Sequence, residues 1–222
     1  MSDAPLISVR GEAVLEVEPE VALLSVHVQS REDDRRTALD RLAERNRRCL
    51  DLVRSYGEAV EKLETGGLSI TPILRYRRRE GDIRAYQGTA WIKITVADFS
   101  VLGELVARLG DLERTAVNGP EWALRPDSEV HARAARQAVH EAVARARSYA
   151  EALGARLTGL VELSDEGVRD RDHAMPVAMA AGYGMPPGAA RDEPEAIDLE
   201  PAAQTVRAAV EARFTATAPD LE

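Results

Sequence analysis

The chain has 222 residues, of which 45% are hydrophobic and 30% charged, with a formal net charge of −9. That length and balance suit a soluble globular protein of one or two domains with a buried core. The acidic balance argues against a general nucleic-acid binder, whose phosphate affinity comes from clustered Lys and Arg.

The opening residues, MSDAPLISVRGEAV, lack the basic and apolar regions of a signal peptide. No window approaches the roughly 20 apolar residues of a membrane span. The lone cysteine, Cys49, leaves no internal disulfide and is compatible with a reducing compartment. The expected location is the cytoplasm.

Residues 6–17 alternate, with Ile7, Val9, Ala13, Leu15 and Val17 on one face. Glu18-Pro19-Glu20 reads as a turn, and Ala22, Leu24, Val26 and Val28 alternate again, which predicts a first hairpin. Asp33 or Asp34 can cap a helix that runs to about Tyr56. Its apolar stripe is Leu39, Leu42, Ala43, Asn46, Cys49, Leu50 and Val53, broken by Asn46, and Gly57 can stop it.

Residues 63–96 predict a long hairpin around which the chain is organised. Leu68, Ile70, Leu74 and Tyr76 share one face of its first arm, and Tyr86, Ala90, Ile92, Ile94 and Val96 one face of its second. Thr65-Gly66-Gly67 and Pro72 predict a bulge or an edge position in the first arm. Asp98 caps a shorter helix with Leu102, Leu105, Val106 and Leu109 inward, closed by Gly110.

A strand near residues 115–124 holds Trp122 and is interrupted by Asn118-Gly119-Pro120. Asp127 or Ser128 then caps the longest helix, which ends at Gly154. Its stripe, chiefly Ala134, Ala138, Ala142, Ala146 and Ala150, has little bulk and lets it lie close to a neighbour. A short strand over 157–163 follows. Residues from about 164 to 196 are rich in Gly, Pro and Met without a period, and predict a long mobile loop. The last strand carries Val206, Ala208, Val210, Ala212 and Phe214. The order ββα-ββα-βα-ββ predicts an α+β fold, an antiparallel sheet of long hairpins with helices packed on one face, forming one domain over 6–218.

Several short stretches in this order resemble the SIMPL-domain family of bacteria, a family of unknown function. They are Ile7-Ser8-Val9-Arg10-Gly11-Glu12 with Pro19, then Leu63-Glu64-Thr65, Leu68-Ser69-Ile70-Thr71-Pro72 and Tyr76. Tyr86-Gln87-Gly88, Val96-Ala97-Asp98 with Leu102-Gly103, the helix from Ala134-Ala135-Arg136 to Leu153-Gly154, and the 206–214 strand complete the set. The resemblance implies an α+β fold of this layout, a tendency to self-assemble and a link to stress tolerance. It implies no catalytic residues. Bacterial relatives usually carry signal peptides, and the leader-free opening here departs from them.

The sequence shows no GxSxG, HExxH, CxxC or phosphate-binding glycine loop, so no catalytic residue and no cofactor is expected. His131 and His140 stand nine residues apart on one helix. At about 100° per residue they fall on opposite faces. His27 sits on a solvated strand face. His173, Met175, Met179 and Met185 share the long loop, where thioether and imidazole suit Cu(I), or where methionines can seal a partner surface. Arg75, Arg77, Arg78 and Arg79 around Tyr76 read as a solvated tip balanced by Glu80 and Asp82 rather than as an RNA contact. Cys49, on its helix's apolar stripe, is expected to be buried and inert.

Two functions follow. The first is a non-enzymatic interaction or assembly protein, a homo-oligomer or the partner of another protein, with Trp91, Ile73, Arg75 and Tyr76 at the interface. Trp91 lies opposite Ile92 and Ile94 on a strand face that would otherwise be wet, and Trp and Arg commonly anchor interfaces. The second is a small-ligand binder or hydrolase with a pocket under the 164–195 loop.

Overall fold

The computed structural model describes residues 4–74, 83–165 and 198–220. Its elements follow the predicted order. They are β1 (Leu6–Val17), β2 (Val21–Glu32), α1 (Arg35–Arg54), β3 (Val60–Leu74), β4 (Ile83–Val96), α2 (Leu102–Gly110), β5 (Thr115–Ala123), α3 (Glu129–Ala152), β6 (Leu157–Asp165) and β7 (Gln204–Ala216). All strand pairs are antiparallel. The fold class is α+β, as the periodicities predict.

The strands form two sheets, β3-β4-β2-β5 and β1-β7-β6, and the chain divides into two compact units along the same line. The predicted first hairpin does not form, because β1 pairs with β7 while β2 pairs with β4 and β5. Alternation shows that a strand has one buried face, and it is silent on which strand lies beside it.

In the four-stranded unit, Ala22, Leu24, Val26 and Val28 of β2 and Ala90, Ile92, Ile94 and Val96 of β4 form a continuous aliphatic layer. Leu42, Cys49 and Val53 of α1 and Leu102, Leu105 and Leu109 of α2 cover it. The contact is close at Gly88, where a Cβ would stand 2.5 Å from Ser30 Oγ and 3.0 Å from Leu42 Cδ2. Ser30 itself is fully buried, and its hydroxyl donates to the Ala38 carbonyl at 2.7 Å, which satisfies it.

The α1 stripe differs in detail from its sequence reading. Ala38 is buried, whereas Leu39 is 44% exposed and Ala43 lies in solvent. Strand β3 differs too. It is an edge strand with a register shift between Thr65 and Leu68, as its glycines predict. Of its expected buried face, Ile70 packs against the core, whereas Leu68 and Leu74 are 55% and 60% exposed. At the edge, alternation still orients side chains to one face, and α1 does not reach far enough to cover them all.

In the three-stranded unit, α3 lies across β1 and β7. Ala134, Ala138, Ala142, Ala146 and Ala150 are its buried residues, all at intervals of four. Ala138, Ala142 and Ala146 meet Val9 and Ala13 of β1 and Val210, Ala212 and Phe214 of β7, and Ala150 meets Ala155 and Ala216. At Gly11 the helix backbone is so near that a Cβ would collide with the Ala138 carbonyl and stand 2.5 Å from the Ala142 nitrogen. Arg145 donates to the Arg10 carbonyl at 2.8 Å, and the Glu12 amide donates to the Glu141 carboxylate at 3.2 Å, so polar contacts flank the apolar seam. Strand β6 runs through Asp165 rather than ending at 163. The rest of the predicted loop, with His173, Met175, Met179 and Met185, lies outside the described residues, as do Arg75 and Tyr76.

Two outcomes test this account. Gly11→Ala should lower stability by about 1–3 kcal/mol or more, since the obstacle is backbone and not a movable side chain. Gly67→Ala, which meets nothing within 4 Å, should change it far less; urea unfolding of the two variants makes the comparison. The second concerns the start of α1, where the Thr37 amide donates to Asp34 Oδ2 at 2.8 Å and the Thr37 hydroxyl at 3.1 Å. These bonds hold the Asp34 carboxyl below its ordinary 3.8. The cap's contribution is therefore fully present above that ordinary value and is lost as pH falls through the lower folded one. Wild type should melt above Asp34→Ala at about pH 7, and the gap should narrow as the pH approaches about 3.

Candidate interface on the four-stranded sheet

Helices cover one face of the β3-β4-β2-β5 sheet, and the period of two sends alternate side chains to the other. The pairs Ser25–Lys93, His27–Trp91 and Gln29–Thr89 stand opposite each other on β2 and β4. Trp91 packs on His27 with ring centroids 3.7 Å apart and planes 46° to each other, and it remains 48% exposed. On β3, Ser69 pairs with Thr89, and their hydroxyls are 3.1 Å apart. Beside Trp91 the bulge presents glycine. A Cβ on Gly66 would lie 3.4 Å from the Trp91 carbonyl, so Gly66 and Gly67 add no side chain to that flank of the indole.

The register thus puts Ser25, His27, Gln29, Trp91 and Lys93 on one face. Ile73 is half-buried and pairs with Ala85. Sequence reasoning missed a groove of about 710 Å³ between the start of α1 and the β3 edge, lined by Leu39, Leu68 and Ile70 with Asp34 and Arg36 at its rim. The bulge and Pro72 signalled the edge; that an edge leaves its apolar side chains open was the missing step.

The three described histidines do not converge on a site. His27 packs at a tilt against Trp91, while His131 and His140 are separately exposed on α3. Among the described residues no group of three or more His, Cys, Asp or Glu is placed to hold a metal ion. Cys49 is fully buried, and burial pushes its thiol up to about 11.

The SIMPL family model, described as a protein of unknown function (DUF541), matches residues 7–214. The chain is also similar to the 26 kDa periplasmic immunogenic proteins of Brucella melitensis biotype 1 and Brucella abortus (strain S19). Each is 29% identical over 167 residues, 72% of this chain. The match spans 66% of each relative, just under two thirds of its length.

The relatives' names overturn the expectation of a cytoplasmic location, since both are periplasmic. That expectation rested on the opening residues and the lone cysteine, and neither decides the compartment. Leaders are removed from mature proteins. A single buried thiol forms no internal disulfide, so it does not require a reducing compartment. Among the described residues no helix is long and apolar enough to cross a membrane.

A thiol pushed up to about 11 leaves roughly one molecule in a thousand as thiolate at about pH 8. Native Cys49 should therefore resist iodoacetamide and react at the rate of a free thiol once guanidinium unfolds the chain. Fast alkylation of the native protein would contradict its burial.

Proposed function

Because the chain belongs to the SIMPL family, we propose that it is a non-enzymatic protein of the bacterial periplasm that works by assembling with copies of itself through the β3–β4 hairpin. The observation that carries this reading is the open edge of β3. Leu68 and Leu74 are 55% and 60% exposed there, beside a groove that holds Leu39. An edge strand presents unpaired backbone groups, and an apolar groove beside it supplies the burial that backbone pairing alone lacks. Trp91 adds a large amphipathic side chain on the hairpin's other strand, half-exposed and backed by His27. The periplasmic setting comes from the relatives' names, and a part in stress tolerance is the role that family membership suggests.

Sedimentation velocity tests the reading. Wild type should run as an oligomer at tens of micromolar (on the order of 10⁻⁵ M). Leu68→Glu and Trp91→Ala should each shift it toward smaller species with an unchanged circular dichroism spectrum. Removing an anchor side chain costs about 2 kcal/mol, so the dissociation constant should rise about thirtyfold. A wild-type protein that sediments as a monomer at that concentration sinks the proposal.

A further inference from the structure

We propose that the uncovered face of the three-stranded sheet binds a small zwitterion of the α-amino-acid class, a property separate from the assembly reading and dependent on other residues. Strand register brings the groups together. Ser8 stands opposite Arg213 and Arg10 opposite Glu211, while Glu211 also faces Ser164 on β6. These side chains line an open depression of about 320 Å³, within the size range of small-metabolite sites. The lining offers the Arg213 guanidinium and two hydroxyls beside the Glu211 carboxylate, while the Arg10 guanidinium is engaged by Glu12 at 2.7 Å.

Two details point to a ligand rather than to internal pairing. The Ser164 hydroxyl oxygen is buried and has no hydrogen-bond partner, a cost that a ligand oxygen would remove. The Arg213 guanidinium is held at long range, with Nε donating to Ser8 Oγ at 3.4 Å and a terminal nitrogen 3.6 Å from the Glu162 carboxylate. Its five N–H donors are far from saturated by two such contacts. A planar carboxylate matches the fork of an arginine, and the hydroxyls can donate to the same oxygens. Glu211, in the row between Arg10 and Ser164, supplies the acceptor that an ammonium group needs. A plain anion would leave Glu211 as a repulsive neighbour, and a plain amine would meet Arg213. A molecule carrying both charges answers both.

Isothermal titration calorimetry of the full chain tests this with L-alanine, L-leucine and L-glutamate, against acetate, ethylamine and inorganic phosphate. At least one amino acid should bind with one site per chain, more than about tenfold tighter than acetate or ethylamine. Arg213→Gln should abolish that binding, and Ser164→Ala should weaken it by about tenfold. Glu211→Gln should erase the preference for the amino acid over acetate. All three positions lie outside the proposed assembly hairpin, so sedimentation should be unchanged in these variants, and circular dichroism should report a native fold. The proposal is overturned if no amino acid binds below about 10 mM, if phosphate binds in their place, or if Arg213→Gln binds as wild type does.

Discussion

At Gly11, helix α3 rests on β1 with no room for even a methyl group, and much of the three-stranded unit follows from that. The stripe of alanines at intervals of four, the glycine at position 11 and the polar contacts of Arg145 and Glu141 on the same strand are parts of one close approach. Few of the large side chains that normally dominate a core take part; Phe214 is the main exception. Burial here comes from packing small groups at high density over a long helix, where dispersion among many atom pairs compensates for small area. The four-stranded unit repeats the device at Gly88, beneath Ser30 and Leu42, with leucines of α1 and α2 filling the remainder of the layer.

Putting helices on a single side of each sheet decides what the other side can be. A strand with one buried face must present its alternate residues elsewhere, and the two sheets use that freedom differently. One displays an indole tilted against an imidazole amid hydroxyl and amide groups and the Lys93 ammonium. The other displays arginines, serines and carboxylates in facing rows. The first chemistry suits contact with another surface. The second suits recognition of a small charged molecule. Among the described residues there is no cluster suited to a metal, and the thiol of Cys49 is sealed in the core.

Much of the architecture was legible because alternation and helical period are local signals. The element order, a cap at one of Asp33 and Asp34 and at one of Asp127 and Ser128, the bulge at Gly66-Gly67 and the buried Cys49 follow from neighbouring residues, whereas Asp98 caps the short turn over Phe99–Val101 and not α2 itself, whose start has no side-chain cap. What the sequence left open was non-local. Glu18-Pro19-Glu20 reads as a hairpin turn, yet the strands on either side of it belong to different sheets, since pairing depends on β7 near residue 210. Leu68 and Leu39 have the spacing of core residues, but their exposure depends on where a helix stops covering an edge. Trp91 was placed on the correct face because its register is fixed by Ile92 and Ile94. The polar face of the three-stranded sheet could not be assembled in advance, because Arg10 reaches Ser164 and Arg213 only through the pairing of the first strand with the last.

That pairing also dictates an order of events as the chain is made. Leu6 lies beside Thr215 and Val17 beside Gln204, so β1 has no neighbour in its sheet until nearly the whole polypeptide exists. The strands of the other sheet all lie between Val21 and Ala123 and can close long before then. A long alternating strand waiting without its partner is the kind of segment that recruits wrong partners. Of the residues on β1, Arg10, Glu12 and Glu16 place charge along the waiting strand, and Gly11 weakens its intrinsic preference for extended pairing. The glycine that lets α3 dock in the finished molecule thus also makes its strand a poorer template while unpaired.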